Sequence, residues 1–310
     1  MDEPTQIGRY HVVGHLASGG MAEILLGKLF GPSGFERPVV IKRILPHLLR
    51  NAELRSMFLD EARVVARIQH PNVVHVHELG ESDDELFMVM EYLEGESVLS
   101  LLRRSLSKHE MVPAALAAHI VAQSCAGLHA AHELTDPAGQ PLGLVHRDVS
   151  PSNVFVTYAG AVKLLDFGIA KFAERKTDTE AGTLKGKFAY MSPEQCLAAP
   201  LDRRSDVFSL GIVLFEMVSA RRLFARENSL LTMKAITEQS IPSLAKVAPN
   251  CPAGIAAVCD RALQRQPEDR FQTAAEMRRA LLEAMRDASF HDVPDEALAG
   301  LMSGLFPDRI

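Results

Sequence analysis

The sequence predicts an α+β chain in two parts, an antiparallel sheet with one embedded helix followed by a mainly helical part. Three observations carry this. Between Ile7 and Tyr92 short β-type runs alternate with Gly, Pro and acidic turns. A single segment among them has helical spacing instead. After Glu94-Gly95 the character changes to long Ala/Leu-rich stretches.

The strand-like runs are RYHVVGHL, AEILLGKLF, RPVVIKRI, VVHVHEL and ELFMVMEYL. The helical exception is AELRSMFLDEARVVARI, where Leu54, Met57, Phe58, Val65 and Ile68 recur at intervals that share one helix face. In the second part PAALAAHIVAQSCAGLHAAHEL and SDVFSLGIVLFEMVSA read as helices, with two short strands near Val154 and Val162. The join at Leu93–Gly95 is short, so the two parts are expected to touch and enclose a cleft. The last stretch, from about Asp287, is more polar, and its ALAGLMSGLF offers one short amphipathic helix packed on the domain.

Composition narrows the function classes. The chain has 310 residues, 47% of them hydrophobic, enough for one large core or two lobes. A formal charge of −6, with no Lys/Arg run longer than a pair, argues against a nucleic-acid partner. The four cysteines show no CxxC spacing, which points away from a disulfide framework or zinc site. The N-terminus carries early acids and no apolar h-region, and no stretch reaches the roughly 18 uninterrupted apolar residues of a membrane span. No membrane association and a cytoplasmic location are therefore expected.

Several residues then ask for chemistry. HLASGGMAEI reads as strand, Gly-Gly turn and strand, which by itself is also an ordinary β-hairpin. Lys42 ends the apolar run Val39-Val40-Ile41, where a lysine can simply snorkel to water. Glu61 lies beside the apolar face of the embedded helix, where a carboxylate either reaches solvent or takes a cation, and Lys42 is the obvious one. The polar run Val145-His146-Arg147-Asp148-Val149-Ser150-Pro151-Ser152-Asn153 interrupts apolar sequence, as a loop held for function does. Thirteen residues after Asn153, the strand VKLL ends in Asp166-Phe167-Gly168. One short hairpin can thus bring an acid, an amide and a second acid together. A carboxylate and an amide oxygen, completed by phosphate oxygens, suit Mg²⁺, which leaves Asp148 to accept a hydroxyl proton.

In this order, with Ser192-Pro193-Glu194 following, the residues resemble the eukaryotic-like (Hanks-type) Ser/Thr protein kinase family over about residues 10 to 284. The wording of HRDVSPSN and KGKFAYMSPEQ resembles its bacterial members. The resemblance implies a bilobal protein kinase fold, with an N-lobe over 10–93, a C-lobe over 94–284 and a tail over 285–310. It implies an enzyme using ATP and Mg²⁺ to phosphorylate protein substrates. It makes Lys42 the lysine on the α- and β-phosphates, Glu61 its helix partner, Asp148 the base, and Asn153 and Asp166 the metal ligands. The glycine loop would be Leu16, Ala17, Ser18, Gly19, Gly20, Met21, Ala22, Glu23 and Ile24. Val40 would line the adenine pocket, Met90 would be the gatekeeper, Glu91 to Leu93 the hinge, and Phe155 would lie under the adenine ring. Glu194 would pair with Arg270. Asp206 would both cap its helix and anchor the catalytic loop.

The sequence departs from the family in two places. Ala17 and Ala22 replace the outer glycines of the loop, and alanine disfavours positive φ. Ser150 stands where Ser/Thr members carry lysine, and Lys187, seven residues before Glu194, stands where they carry threonine. An exchange of amine and hydroxyl between these positions is expected, with Lys187 serving the γ-phosphate. Arg147, read as a buried cation, calls for an anion. Thr183, with Thr177 and Thr179, would supply it by autophosphorylation, through a transient dimer if this occurs in trans. The alternative is a pseudokinase scaffold that binds nucleotide or a partner without efficient catalysis.

Overall fold

The computed structural model describes residues 6–81, 85–167, 188–288 and 295–309. They fall into two compact units, one of residues 6–70, 74–93 and Phe167, the other of 71–73, 94–166 and the remainder.

The first unit is built on a six-stranded antiparallel sheet in the order β1-β2-β3-β4-β6-β5. Its strands are β1 (Gln6–Ile7), β2 (Tyr10–Ser18), β3 (Ala22–Phe30), β4 (Glu36–Ile44), β5 (Val76–Glu81) and β6 (Leu86–Glu91). Alternation along the strands divides the two faces. Leu25, Val39, Ile41, Phe87 and Val89 join Ile7 and Tyr10 in an apolar cluster on one face. Residues one step out of phase look the other way. There the register sets Ile24 opposite Lys42, Lys42 opposite Met88, and Val40 opposite Met90.

Helix α1 (Ala52–Val65) is the embedded helix of this unit. Asn51 starts it, its side chain accepting the amides of Glu53 and Leu54. The face holding Phe58, Glu61, Ala62 and Val65 is buried. The helix stops at Val65, three residues short of Ile68, which is buried beyond it. VVHVHEL is likewise only partly a strand: β5 begins at Val76, and Val73 forms a bridge with Leu164 of the second unit's own fold.

The second unit has a three-stranded sheet, β7 (Gly95–Ser97), β8 (Val154–Thr157) and β9 (Val162–Leu164). Its helices are α2 (Val98–Ser107), α3 (Ala114–His132), α4 (Pro193–Cys196), α5 (Arg204–Ser219), α6 (Ser229–Thr237), α7 (Leu244–Val247), α8 (Ala253–Ala262), α9 (Ala274–Asp287) and α10 (Asp295–Leu305). Helices α3 and α5 are apolar nearly all round, as helices enclosed by others must be. By length and composition helix α3 could cross a bilayer, although His119, Gln123 and Ser124 interrupt its apolar run. Most of it is buried against α5, α9 and β9 in the unit's own core.

The amphipathic helix expected near the C-terminus is α10. It buries Leu298, Met302 and Leu305, each such side chain stabilising by about 1.5–3 kcal/mol.

Candidate active site

In the first unit, β4 and α1 bring Lys42 and Glu61 together. The ammonium donates to Glu61 Oε1 at 2.6 Å, and both side chains are almost fully enclosed. A lone buried charge at either position would be costly, so each residue accounts for the other. Lys42 shares its sheet face with Ile24, Val40 and Met90, four of the residues singled out in the sequence. Glu91 closes β6 with its amide on the His75 carbonyl and its carboxylate accepting the His75 amide. Leu93 follows two residues later.

The turn between β2 and β3 closes with the Gly19 amide on the Ala22 carbonyl at 2.8 Å. Ala17 pairs with Ile24 in the β2–β3 ladder, and Ala22 pairs with Ile44 across β3–β4. Neither alanine has positive φ, so the backbone strain expected from replacing the outer glycines is absent. Met21 and Ala22 are buried while Leu16 is half exposed. Ser18 Oγ meets His15 Nε2 at 2.7 Å. Glu23 is committed elsewhere, its carboxylate accepting from Arg43 across the sheet.

In the second unit, the loop from Val145 to Asn153 hangs from Asp206. That carboxylate accepts the His146 amide at 2.8 Å, the Arg147 amide at 2.9 Å and His132 Nε2 at 2.8 Å. Burial would push the Asp206 carboxyl up, but the hydrogen bond and charge of His132, with the His146 contacts, hold it below the usual range. Asp206 is not the N-cap expected of it, because α5 begins earlier, at Arg204. Its oxygens serve the loop instead.

From the other side, Gln195 Nε2 donates to the Arg147 carbonyl at 2.9 Å. These bonds retain Arg147 at φ 67°, a left-handed conformation that costs a β-carbon-bearing residue about 1–3 kcal/mol. With its backbone turned inward, the Arg147 side chain is exposed, which corrects its reading as a buried cation. His146 is buried and bridges. Its Nδ1 accepts the Asp148 amide at 3.3 Å, so Nε2 carries the hydrogen donated to the Leu165 carbonyl at 3.1 Å.

Asp148 and Asn153 are joined directly. Asn153 Nδ2 donates to the Asp148 carbonyl and to Asp148 Oδ2, both at 2.8 Å. Both hydrogens of the amide are thereby engaged, and Oδ1 is the atom that can accept or ligate. The Leu165 amide returns to the Asn153 carbonyl at 2.8 Å, so the residue before Asp166 is pinned to Asn153. Asp166 follows at φ 43°.

One carboxylate and one amide oxygen at the base of the β8–β9 hairpin form a hard-oxygen pair that fits Mg²⁺. Among the described residues no cluster of three or more His, Cys, Asp or Glu forms a fuller metal cage. Phosphate and water would have to complete the shell. Phe155, on β8 opposite Ser97, is half buried. Ser150 is buried and its carbonyl accepts the amides of Asn153 and Val154. Gly168, Thr177, Thr179, Thr183 and Lys187 lie outside the described residues.

Glu194 and Arg270 form the expected pair, bidentate at 2.7 and 2.8 Å, with Arg270 fully buried. Burial raises the Glu194 carboxyl, but hydrogen bonds from Arg270 and Ser205 outweigh it and leave the pKa lowered. His132 and Gln195 are the supports that sequence reasoning missed. Gln195 had a signal, since Ser192-Pro193-Glu194-Gln195 spells a capping box, which the structure contains. His132 had none, lying in an Ala-rich helix 74 residues from its partner.

Comparison with known proteins agrees with this geometry. The protein kinase domain family matches residues 10–281. The chain is 46% identical over 267 residues to the tyrosine-protein kinase MasK of Myxococcus xanthus, covering 86% of this chain and 41% of that protein. It is 32% identical over 280 residues to the serine/threonine-protein kinase PknB of Mycobacterium leprae, covering 88% and 42%. It therefore spans less than half the length of these two relatives. Among solved structures, the Mycobacterium tuberculosis PknI kinase domain matches with a TM-score of 0.68 at 26% identity, over 92% of this chain and 99% of that one. A family match over most of the length, with relatives above 30% identity, has one reading: the chain belongs to the protein kinase family, in its bacterial eukaryotic-like (Hanks-type) branch.

Proposed function

We propose that this chain transfers the γ-phosphoryl group of ATP to serine or threonine hydroxyls of proteins, with Asp148 as the base. The observation that carries the proposal is the Asp148–Asn153 pair, suspended from Asp206 and pinned to the residue before Asp166. In the proposed reaction the acceptor hydroxyl loses its proton to Asp148. Its oxygen bonds to the γ-phosphorus as the bond to the β-phosphate oxygen breaks, and ADP leaves.

Asn153 Oδ1 and Asp166 would hold Mg²⁺, whose contribution when bound is to neutralise charge on the phosphate oxygens. Lys42, held by Glu61, would serve the α- and β-phosphates. The backbone around Gly19-Gly20 would take phosphate, and Val40, Met90, Leu93 and Phe155 the adenine. Turnover on the order of 1–100 s⁻¹ is the expectation for such a kinase.

A second reading, tyrosine as acceptor, is favoured by the relative named a tyrosine-protein kinase and by Ser150 in place of the loop lysine. Two observations weigh against a pseudokinase scaffold: Lys42 and Glu61 are paired, and Asp148, Asn153 and Asp166 all stand at the hairpin base. Incubation with Mg·ATP and a generic protein acceptor, followed by phosphoamino-acid analysis of the acceptor and of the chain itself, separates these. Phosphoserine or phosphothreonine supports the proposal, phosphotyrosine alone selects the second reading, and no transfer rejects both. Self-labelling would be mapped to Thr177, Thr179 and Thr183 by mass spectrometry. An unmodified segment in fully active protein would refute autophosphorylation as a requirement.

A further inference from the structure

The β8–β9 hairpin has two ends. At its base stand Asn153 and Asp166; at its turn, residues 158–161, it is gripped by the C-terminal segment. Gly160 has φ 89°, and a β-carbon there would lie 2.0 Å from the Asp295 carbonyl oxygen, so the first residue of α10 rests directly on the turn. The Tyr158 ring is 6.5 Å from that of Phe306. The helix is also fastened by α2 and the residue that caps it, where Arg104 donates to the Leu305 carbonyl at 2.8 Å and Lys108 to the Gly304 carbonyl at 2.6 Å.

A helix docked for stability alone would need only its apolar face. Here a buried carboxylate takes part as well. Glu96 lies on β7, directly opposite Val156 of β8, with its side chain 9% exposed. It accepts Tyr158 Oη at 3.3 Å and pairs with Arg309, the cation that the C-terminal segment brings. An enclosed carboxylate on the strand next to β8 is thus balanced by a residue far along the chain. Moving that segment moves charge as well as packing at the strand that carries Phe155 and leads back to Asn153.

We propose that residues 295–309 are a positioning clamp for phosphoryl transfer, with Arg309 as the latch on Glu96. By fixing the turn end of the hairpin, the clamp sets the relation of Asn153 to Asp166 at its base. The inference rests on the reading of those two residues as the Mg²⁺ holders.

The test uses the full chain and the variants Arg309→Ala, Arg309→Lys and Glu96→Gln, with Asn153→Ala and Asp166→Ala as reference. Mg·ADP affinity is measured by calorimetry across a Mg²⁺ series, and melting temperature without nucleotide is measured alongside. Arg309→Ala and Glu96→Gln are expected to weaken Mg²⁺-dependent ADP binding by about tenfold, the low end of what loss of a non-ligating support costs a metal site. Arg309→Lys should restore it to within about threefold. If the clamp variants bind as the wild type while the reference variants lose Mg²⁺ dependence, the clamp is overturned and the metal reading stands. A lowered melting temperature with unchanged affinity also overturns it, leaving a purely structural tail. If the reference variants keep full Mg²⁺ dependence, the metal reading fails and the inference with it.

Discussion

Arg147 and Asp166 both hold left-handed backbone with a β-carbon, and each is braced by hydrogen bonds from its neighbours. Asp206 and Gln195 grip Arg147 from opposite sides, and the Leu165–Asn153 bond fixes the approach to Asp166. Strain at these residues is tolerable because several hydrogen bonds over-determine them. The Lys42–Glu61 pair has a different logic, since two buried charges of opposite sign lie 2.6 Å apart. Lys42→Met should cost about 3–5 kcal/mol, because it removes the cation 2.6 Å from the buried Glu61 carboxylate. Adding Glu61→Leu should recover most of that stability in denaturant titrations without recovering phosphoryl transfer; recovery of transfer would remove the pair from the mechanism. Ser150 and Lys187 pose the remaining residue-scale question. If Lys187 serves the γ-phosphate, Lys187→Thr lowers kcat and adding Ser150→Lys raises it again, whereas a silent single variant rules the exchange out.

Among the elements, the short helix α4 shows how a local motif and a long-range ion pair cooperate. Its capping box positions Glu194, and Arg270 then locks the segment to the helices below. Because the Glu194 pKa is lowered on folding, its stabilisation is complete above the ordinary carboxylate value near 4.3 and is lost as pH falls through the folded value. The melting-temperature gap between wild type and Glu194→Gln should therefore be widest at pH 6–7 and narrow below about pH 4. A gap independent of pH would mean that the pair does not set the shift.

Elements with strong periodicity were readable in the sequence, including α1, the β2–β3 hairpin and the short α10. The boundaries that failed have physical causes. Ile68 belongs to the apolar pattern but lies past the helix end, because burial continues after the hydrogen-bond ladder stops. Val73 looks like strand because it is apolar, yet its partner is Leu164. Arg147 read as buried from its place before Asp148 in the family pattern, whereas its side chain is exposed and its backbone is left-handed. The residues that hold the site from a distance, His132, Gln195 and Arg309, find their partners through tertiary folding, which no local spacing records.

Taken as a whole, the molecule keeps its chemistry-bearing residues on two scaffolds. One is a sheet face with Lys42 and its row of apolar neighbours. The other is a hairpin and loop fixed to a helical core by Asp206. In the proposed reaction nucleotide binding and proton movement are separable, because Asp148 would take the proton and not the metal. Comparing Asp148→Asn with the wild type therefore tests the central claim most directly, using Mg·ADP affinity and the initial rate of phosphate transfer from ATP to a protein acceptor. The expected result is unchanged affinity with a rate about 10²- to 10⁴-fold lower. A variant that transfers phosphate within about threefold of the wild-type rate would contradict the account.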